Sequence, residues 1–316
     1  MQPKRLIDRI VAPSTRSFWR AGRRMPGYSL LDFIHGYIYG RWPYLYISIG
    51  TGEHQLARLI RPVIALFARV SAVLSTRPVS EAPVETWADT YHGKVVPLEA
   101  ARQLISIKEP VQIPDLEQVI PYTKARAIIL ENPDHIVALD CPCRMARSNP
   151  CLPLDVCLVI GQPFAGFILE HQPEHARSIT SDQAFDILQA EDARGHVHHA
   201  FFKDAMLGRF YAICNCCACC CGAMHAHQHG TPMLASSGYR AQIASDDCIA
   251  CEACIPYCQF GALSVDGSYT QVDEAKCMGC GVCVDKCLQA AIQLVRDPSK
   301  GEPLEITHLM NQAAAR

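Results

Sequence analysis

The sequence has no long apolar run. Between Arg24 and Arg77 the longest stretch free of charge is residues 42–52, 11 residues, well short of the about 18 that cross a bilayer as a helix. Residues 1–30 hold nothing more apolar than Ile10-Val11-Ala12, whereas an export leader carries an apolar stretch of about 7–15 residues. The Arg23-Arg24 pair lacks the serine, the spacing and the apolar run of a twin-arginine leader. The expectation is therefore a cytoplasmic chain with reduced thiols, which excludes a disulfide framework. No GxxxxGK[ST] phosphate loop and no GxSxG elbow occurs, and Gln55 leaves the pattern opened by Gly50-Thr51-Gly52 incomplete. No stretch resembles a flavin, nicotinamide or haem site, so chemistry on such groups belongs to other chains.

What the sequence has in excess is cysteine, 18 in 316 residues. Hydrophobic residues at 49% against 19% charged exclude disorder over most of the length and supply core for two or three domains. The net charge of −2 hides an asymmetry: residues 1–76 hold 11 lysines and arginines against three acids, +8, which leaves −10 for the remainder. A basic arm on an acidic body points to different partners at the two ends.

The 1–76 arm is also aromatic, with Phe18-Trp19, Tyr37, Tyr39, Trp42, Tyr44 and Tyr46. Residues 44–52 read as a strand. From Glu53 onward Leu56, Leu59, Ile60, Val63, Phe67, Val70 and Leu74 form one helical stripe, with Arg58, Arg61 and Arg69 opposite. That composition suits a membrane interface or a membrane-bound partner, and equally an ordinary helix packed on its own domain. Residues 77–113 read as a linker with a short helix at about 97–106. A second helix is expected from Pro114-Asp115 toward Leu130. Strands are expected at 136–139, 156–160, 164–169 and 210–213, and a helix capped by Ser181 is expected to run to about Ala193 and stop at Gly195. The middle, residues 114–239, is thus α+β, followed by a cysteine repeat over 240–296 and a tail over 297–316.

In that repeat Cys248, Cys251, Cys254 and Cys258 are spaced C-x2-C-x2-C-x3-C, and Cys277, Cys280, Cys283 and Cys287 recur 29 residues later. Paired CxxC motifs also make zinc ribbons, but a zinc site does not need three successive cysteines, then a fourth, duplicated. The motif resembles the bacterial two-cluster ferredoxin domain. The resemblance implies a ferredoxin-like C-terminal fold and two [4Fe–4S] clusters. One would be held by Cys248, Cys251, Cys254 and Cys287, the other by Cys277, Cys280, Cys283 and Cys258. That family places proline after each fourth cysteine, where this chain has Gln259 and Leu288.

Ten cysteines remain: Cys141, Cys143, Cys151, Cys157, Cys214, Cys216, Cys217, Cys219, Cys220 and Cys221. Six thiols within residues 214–221 have no structural use in a reducing compartment, so metal is the economical reading. Ten serve two cubanes with two thiols over, or one cluster with spares. One additional cluster is the first expectation. His225, His227 and His229 follow closely, either as imidazole ligands or as an exposed loop; His196, His198 and His199 read as strand surface. Arg144 either neutralises a cluster or forms a salt bridge. Over residues 115–296 the CxCR segment, the CNCCxCC run and Gly195-His196-Val197-His198 resemble uncharacterised multi-cluster iron–sulfur proteins of anaerobic and sulfate-reducing bacteria.

The function expected from all this is a non-catalytic electron-transfer component of an oxidoreductase complex. It would pass single electrons between redox partner proteins, its arm docking to a membrane surface or membrane-bound subunit at the cytoplasmic face. Alternatives are a redox enzyme subunit whose middle cluster takes substrate, which requires a pocket beside that cluster, and an iron–sulfur redox sensor. Nucleic acid is not an expected partner, because no segment reads as a recognition helix and the acidic body would repel it.

Overall fold

Short blocks rich in valine, isoleucine and phenylalanine run through the middle of the chain and assemble into one sheet. The computed structural model describes residues 11–57, 87–114 and 116–314. Its strands are β1 (Tyr91–Val95), β2 (Val111–Ile113), β3 (Ile128–Leu139), β4 (Cys157–Gln162), β5 (Ala176–Ile179), β6 (Val197–Lys203), β7 (Arg209–Cys216) and β8 (Leu234–Ala235). The order is β2-β3-β4-β7-β6-β1-β8, with β5 also on β3. Every pairing is antiparallel except β1 with β8.

Helices Leu98–Ile105 and Ser181–Ala193 pack together on β3 and β6, and helix Phe164–His171 lies on β3 and β4. Strand β6 is buried along its whole length. This corrects the reading of its histidines as surface: a sheet covered on both faces has no polar side for them. Burial pushes His198 down to about 4 and His199 to about 3.

Residues 13–51 form three helices, Pro13–Arg24, Leu30–Arg41 and Pro43–Thr51, and they lie against this body. Phe18 is fully buried and meets Phe33, Phe164 and Phe167 edge-on. Ser29 and Asp32 cap the second helix reciprocally. Its glycines permit the close approach: a Cβ on Gly36 would sit 2.1 Å from the Ala205 carbonyl oxygen, and one on Gly40 would sit 2.8 Å from the Phe167 ring. Phe18 is thus a core residue, and Phe33, Tyr37, Tyr39 and Tyr44 pack half-buried against the core, while Trp42 stays exposed. Residues 58–86, which carry most of the expected amphipathic stripe, lie outside the described residues.

Four expectations are corrected. Residues 44–52 are helix rather than strand, because Pro43 takes the first helical position, where no N–H is needed, and Gly52 ends the helix with φ of 89°. Residues 164–169 are helix, following Pro163. No helix opens at Pro114-Asp115 among the described residues: a turn over Leu116–Ile120 meets Pro121, and β3 starts at Ile128. The linker expected over 77–113 holds β1 and β2 as well as the short helices Trp87–Thr90 and Leu98–Ile105. Helix Ser181–Ala193 stands as expected, capped by Thr180 rather than Ser181.

The carboxy-terminal part has two small antiparallel pairs. They are β9 (Tyr239–Ile243) with β12 (Ile292–Arg296), and β10 (Leu263–Asp266) with β11 (Tyr269–Val272). Ala241, Ala262, Leu263 and Ile292 form a second core there with Cys254, Cys277 and Cys283. Met278 and Val282 belong to the main core, so the two parts share one interior. Overall the chain is mixed α+β, as its sequence indicates.

Candidate metal centres

The two C-x2-C-x2-C loops match each other position for position. Ala250, Glu252 and Gly261 have positive φ in the first, and Gly279, Gly281 and Ala290, each 29 residues on, have it in the second. Such turns fold three thiols around one point. Cys248, Cys251 and Cys254 line a small cavity together with Cys287. Cys277, Cys280 and Cys283 line another together with Cys258. The fourth thiol of each set thus comes from the other repeat.

Backbone amides face these sulfurs. Ala262 N–H donates to Cys258 Sγ at 3.2 Å and Ala291 N–H to Cys287 Sγ at 3.3 Å, again 29 residues apart. Thr270 N–H donates to Cys248 Sγ and Ala241 N–H to Cys277 Sγ, both at 3.4 Å. Donors aimed at sulfur favour the thiolate, so the donor chemistry suits iron–sulfur ligation.

The ten middle cysteines fall into two groups that adjoin. Cys151, Cys217, Cys219 and Cys220 have their sulfurs within 4.8 Å of one another. Cys141, Cys143, Cys157, Cys214, Cys216 and Cys221 line a chamber whose wall Cys217 and Cys220 also reach. Around it Cys157 touches Cys214 and Cys141, Cys141 touches Cys143, Cys143 touches Cys221, and Cys221 touches Cys216. Strand register explains part of this: Cys157 of β4 stands opposite Cys214 of β7, and Cys216, two residues on, points the same way. Cys141 and Cys143 enter from the end of β3, and Cys221 precedes helix Gly222–Gln228.

These thiols share protons unevenly. Hydrogen bonds from Cys143 and Cys157 hold Cys141 well below the usual thiol range. Contacts with Cys141 and Cys214, then burial, push Cys157 well above it. A buried set that cannot ionise together without a cation is the electrostatic condition of a metal site.

Arg144 lies between the groups. Its side chain is 1% exposed and donates to Glu191 Oε2 at 2.5 Å, to the Asn215 carbonyl at 3.2 Å and to the Pro153 carbonyl. Its charge also acts on Cys141 and Cys217, one thiol from each group. The salt-bridge reading of Arg144 therefore holds. Among the described residues no histidine joins either thiol group. His225 and His227 sit on helix Gly222–Gln228 rather than a loop.

A cleft of about 520 Å³ adjoins the six-thiol chamber, and Tyr39, Ile47, Tyr91 and Cys143 line both. Its floor carries Lys203, 2% exposed, whose Nζ lies 4.8 to 5.7 Å from the ring centres of Tyr91, Tyr39 and Tyr46. No carboxylate pairs with Lys203 among the described residues, and burial pushes its amine down to about 8. Arg147, His225 and His229 also line the cleft, with Arg147 paired to Glu53. Sequence reading missed Lys203 entirely, because its tyrosines arrive from three separate elements.

Gln259, in the position of the ferredoxin proline, joins the two halves of the molecule. Its Oε1 accepts from Ala218 N–H at 2.8 Å, inside the CNCCxCC run, and its Nε2 donates to the Gly195 carbonyl at 2.9 Å. Lys286 adds a bond to the Ala193 carbonyl at 2.8 Å.

Compared with known families, residues 270–293 match the 4Fe-4S binding domain (Fer4). The match holds the second cysteine set, Cys277 to Cys287. A search of curated proteins finds none that matches the chain. Among the described residues no helix is long and apolar enough to cross a membrane.

Proposed function

We propose that the chain is an iron–sulfur electron-transfer protein with two [4Fe–4S] clusters in its carboxy-terminal part and further metal in its middle. The observation that carries this reading is the crossing of the fourth thiols. Each ferredoxin loop gathers around its own cavity with one cysteine of the other repeat. In that arrangement Cys248, Cys251, Cys254 and Cys287 hold one cluster and Cys277, Cys280, Cys283 and Cys258 the other. Clusters of this type supply one-electron chemistry. The chain's own part is to donate amides to sulfur, bury the ligands and set the spacing between sites.

The middle thiols extend the path. Cys258 adjoins Gln259, Gln259 bonds the run that carries Cys217 and Cys219, and Arg144 links that group to the six-thiol chamber. The chamber is larger than either ferredoxin cavity, and six thiols exceed the four corners of a cubane. Donor and acceptor are redox partner proteins. An exposed apolar face on helix Leu30–Arg41, with Leu31 at 75% and Ile34 at 43%, supports docking of this side to a membrane surface or membrane-bound subunit.

The test is iron and acid-labile sulfide per chain, on protein prepared without oxygen. More than about eight of each is expected, about twelve or sixteen for one or two further cubanes. About eight of each would confine the clusters to the ferredoxin sets, and fewer would overturn the crossed ligation.

A second reading is favoured by the cleft beside Cys143. A buried cation with no carboxylate in salt-bridge contact among the described residues, Asp204 acting on it only through space and tyrosine rings around it, suits a small organic anion with an apolar body. In this reading the middle metal serves a redox reaction on a bound substrate, and Lys203 orients its charge.

A further inference from the structure

The four sulfurs of Cys151, Cys217, Cys219 and Cys220 are unlike the other sets. Cys219 Sγ lies 3.1 Å from Cys151, 3.3 Å from Cys217 and 3.6 Å from Cys220, and Cys217 Sγ lies 3.7 Å from Cys151. All four fall within 4.8 Å of one another. A single ion bound at about 2.3 Å by four thiolates places them at the corners of a tetrahedron with edges of about 3.8 Å. In a cubane each thiolate binds a different iron, and the inorganic core stands between the sulfurs. The ferredoxin loops serve as an internal ruler. Among the described residues, no three of their sulfurs gather within 4.8 Å, although both sets surround a cavity.

The local chain supports the same conclusion. Cys217, Cys219 and Cys220 come from one tight turn after β7, which is too compact to wrap a cluster body. Cys151 closes the group from the loop after helix Pro142–Met145. Cys217 and Cys220 are buried while Cys219 is exposed, so one corner is open to an entering ion. Four thiolates around a divalent ion leave two negative charges. Arg144 lies close enough to Cys217 to answer one of them, and Arg147 donates to the Cys220 carbonyl at 3.3 Å.

We propose that Cys151, Cys217, Cys219 and Cys220 bind one divalent metal ion, zinc or ferrous iron, at a four-thiolate site separate from every iron–sulfur cluster. The site rests on the reading of the middle thiols as metal ligands and narrows it. Zinc there would be a redox-silent staple between the ferredoxin part and the chamber. Ferrous iron would make it a one-electron step on the path.

The experiment compares full-length protein with its Cys219→Ser variant, both prepared without oxygen, for zinc, iron and acid-labile sulfide. The expected result is loss of one metal ion per chain with no loss of sulfide. Loss of about four irons with four sulfides would overturn the single-ion site while keeping metal in the middle. A wild type holding about eight irons, eight sulfides and no other metal would overturn both readings together. Should the variant fail to fold, the wild type is exchanged with cobalt(II). Uptake of one equivalent with a high-spin cobalt signal in electron paramagnetic resonance supports the site, and no uptake overturns it.

Discussion

Lys203 is the residue whose energetics are least like those of a structural side chain. Burial lowers its amine from 10.5 to about 8, so at neutral pH it stays mainly charged but holds its proton far less tightly than a free lysine. The unfolded chain binds this proton more tightly between pH 8 and 10.5, and stability therefore rises with pH across that window. The shift is worth about 3 kcal/mol, and the tyrosine faces offset up to about 2 kcal/mol of it. Lys203→Met is expected to raise stability at neutral pH by about 1 to 3 kcal/mol and to flatten the alkaline rise, both measured as urea midpoints. If the cleft takes organic anions, the same variant loses the response of its iron spectrum to benzoate. A less stable variant, or one that still responds, removes Lys203 from that role. Arg144 makes the contrasting case, since a carboxylate, Glu191, stands against its buried charge at 2.5 Å.

The repeated loops show which part of an element its own sequence dictates. Cys248 to Cys258 and Cys277 to Cys287 were legible because three of the four thiols around each cavity come from one tight turn with a fixed spacing. The turn demands positive φ at two positions; the second repeat supplies Gly279 and Gly281, while the first uses Ala250 and Glu252 at a steric cost of about 1–2 kcal/mol each. The partition of residues 214–221 was illegible, because Cys151 and Cys157, which complete the two groups, come from a distant loop and a neighbouring strand. Residues 44–52 read as a strand on their tyrosines and isoleucines, but packing against the body outweighed that preference. Gln259 and its counterpart Leu288 differ for a similar long-range reason: Gln259 faces the middle of the molecule, and Leu288 is 89% exposed. Gln259→Leu is therefore expected to keep the ferredoxin iron and to lower stability by about 1–3 kcal/mol through two lost hydrogen bonds. An unchanged urea midpoint would show that these bonds do not hold the halves together.

At the scale of the whole molecule, the basic, aromatic segment expected to be an arm is, over residues 13–51, part of the body. Tyr39, Gly40, Pro43 and Ile47 line the six-thiol chamber, so deleting the segment would test folding rather than docking. The informative variant changes only the outer face. Leu31→Glu combined with Ile34→Glu is expected to keep full iron content and to abolish co-flotation with anionic liposomes. Undiminished flotation would assign that face to something other than lipid.

The interleaving of residues 214–221 has a consequence of a different kind. Cys214, Cys216 and Cys221 line the chamber, Cys219 belongs to the four-sulfur group, and Cys217 and Cys220 of that group also reach the chamber wall. The segment therefore has a reading frame. Removing Ala218 would pull Cys219, Cys220 and Cys221 each one step toward a place built for a neighbour, and both sites would lose ligands although no cysteine was lost. In this segment the length of the chain is as much a ligand-determining property as the identity of any residue in it.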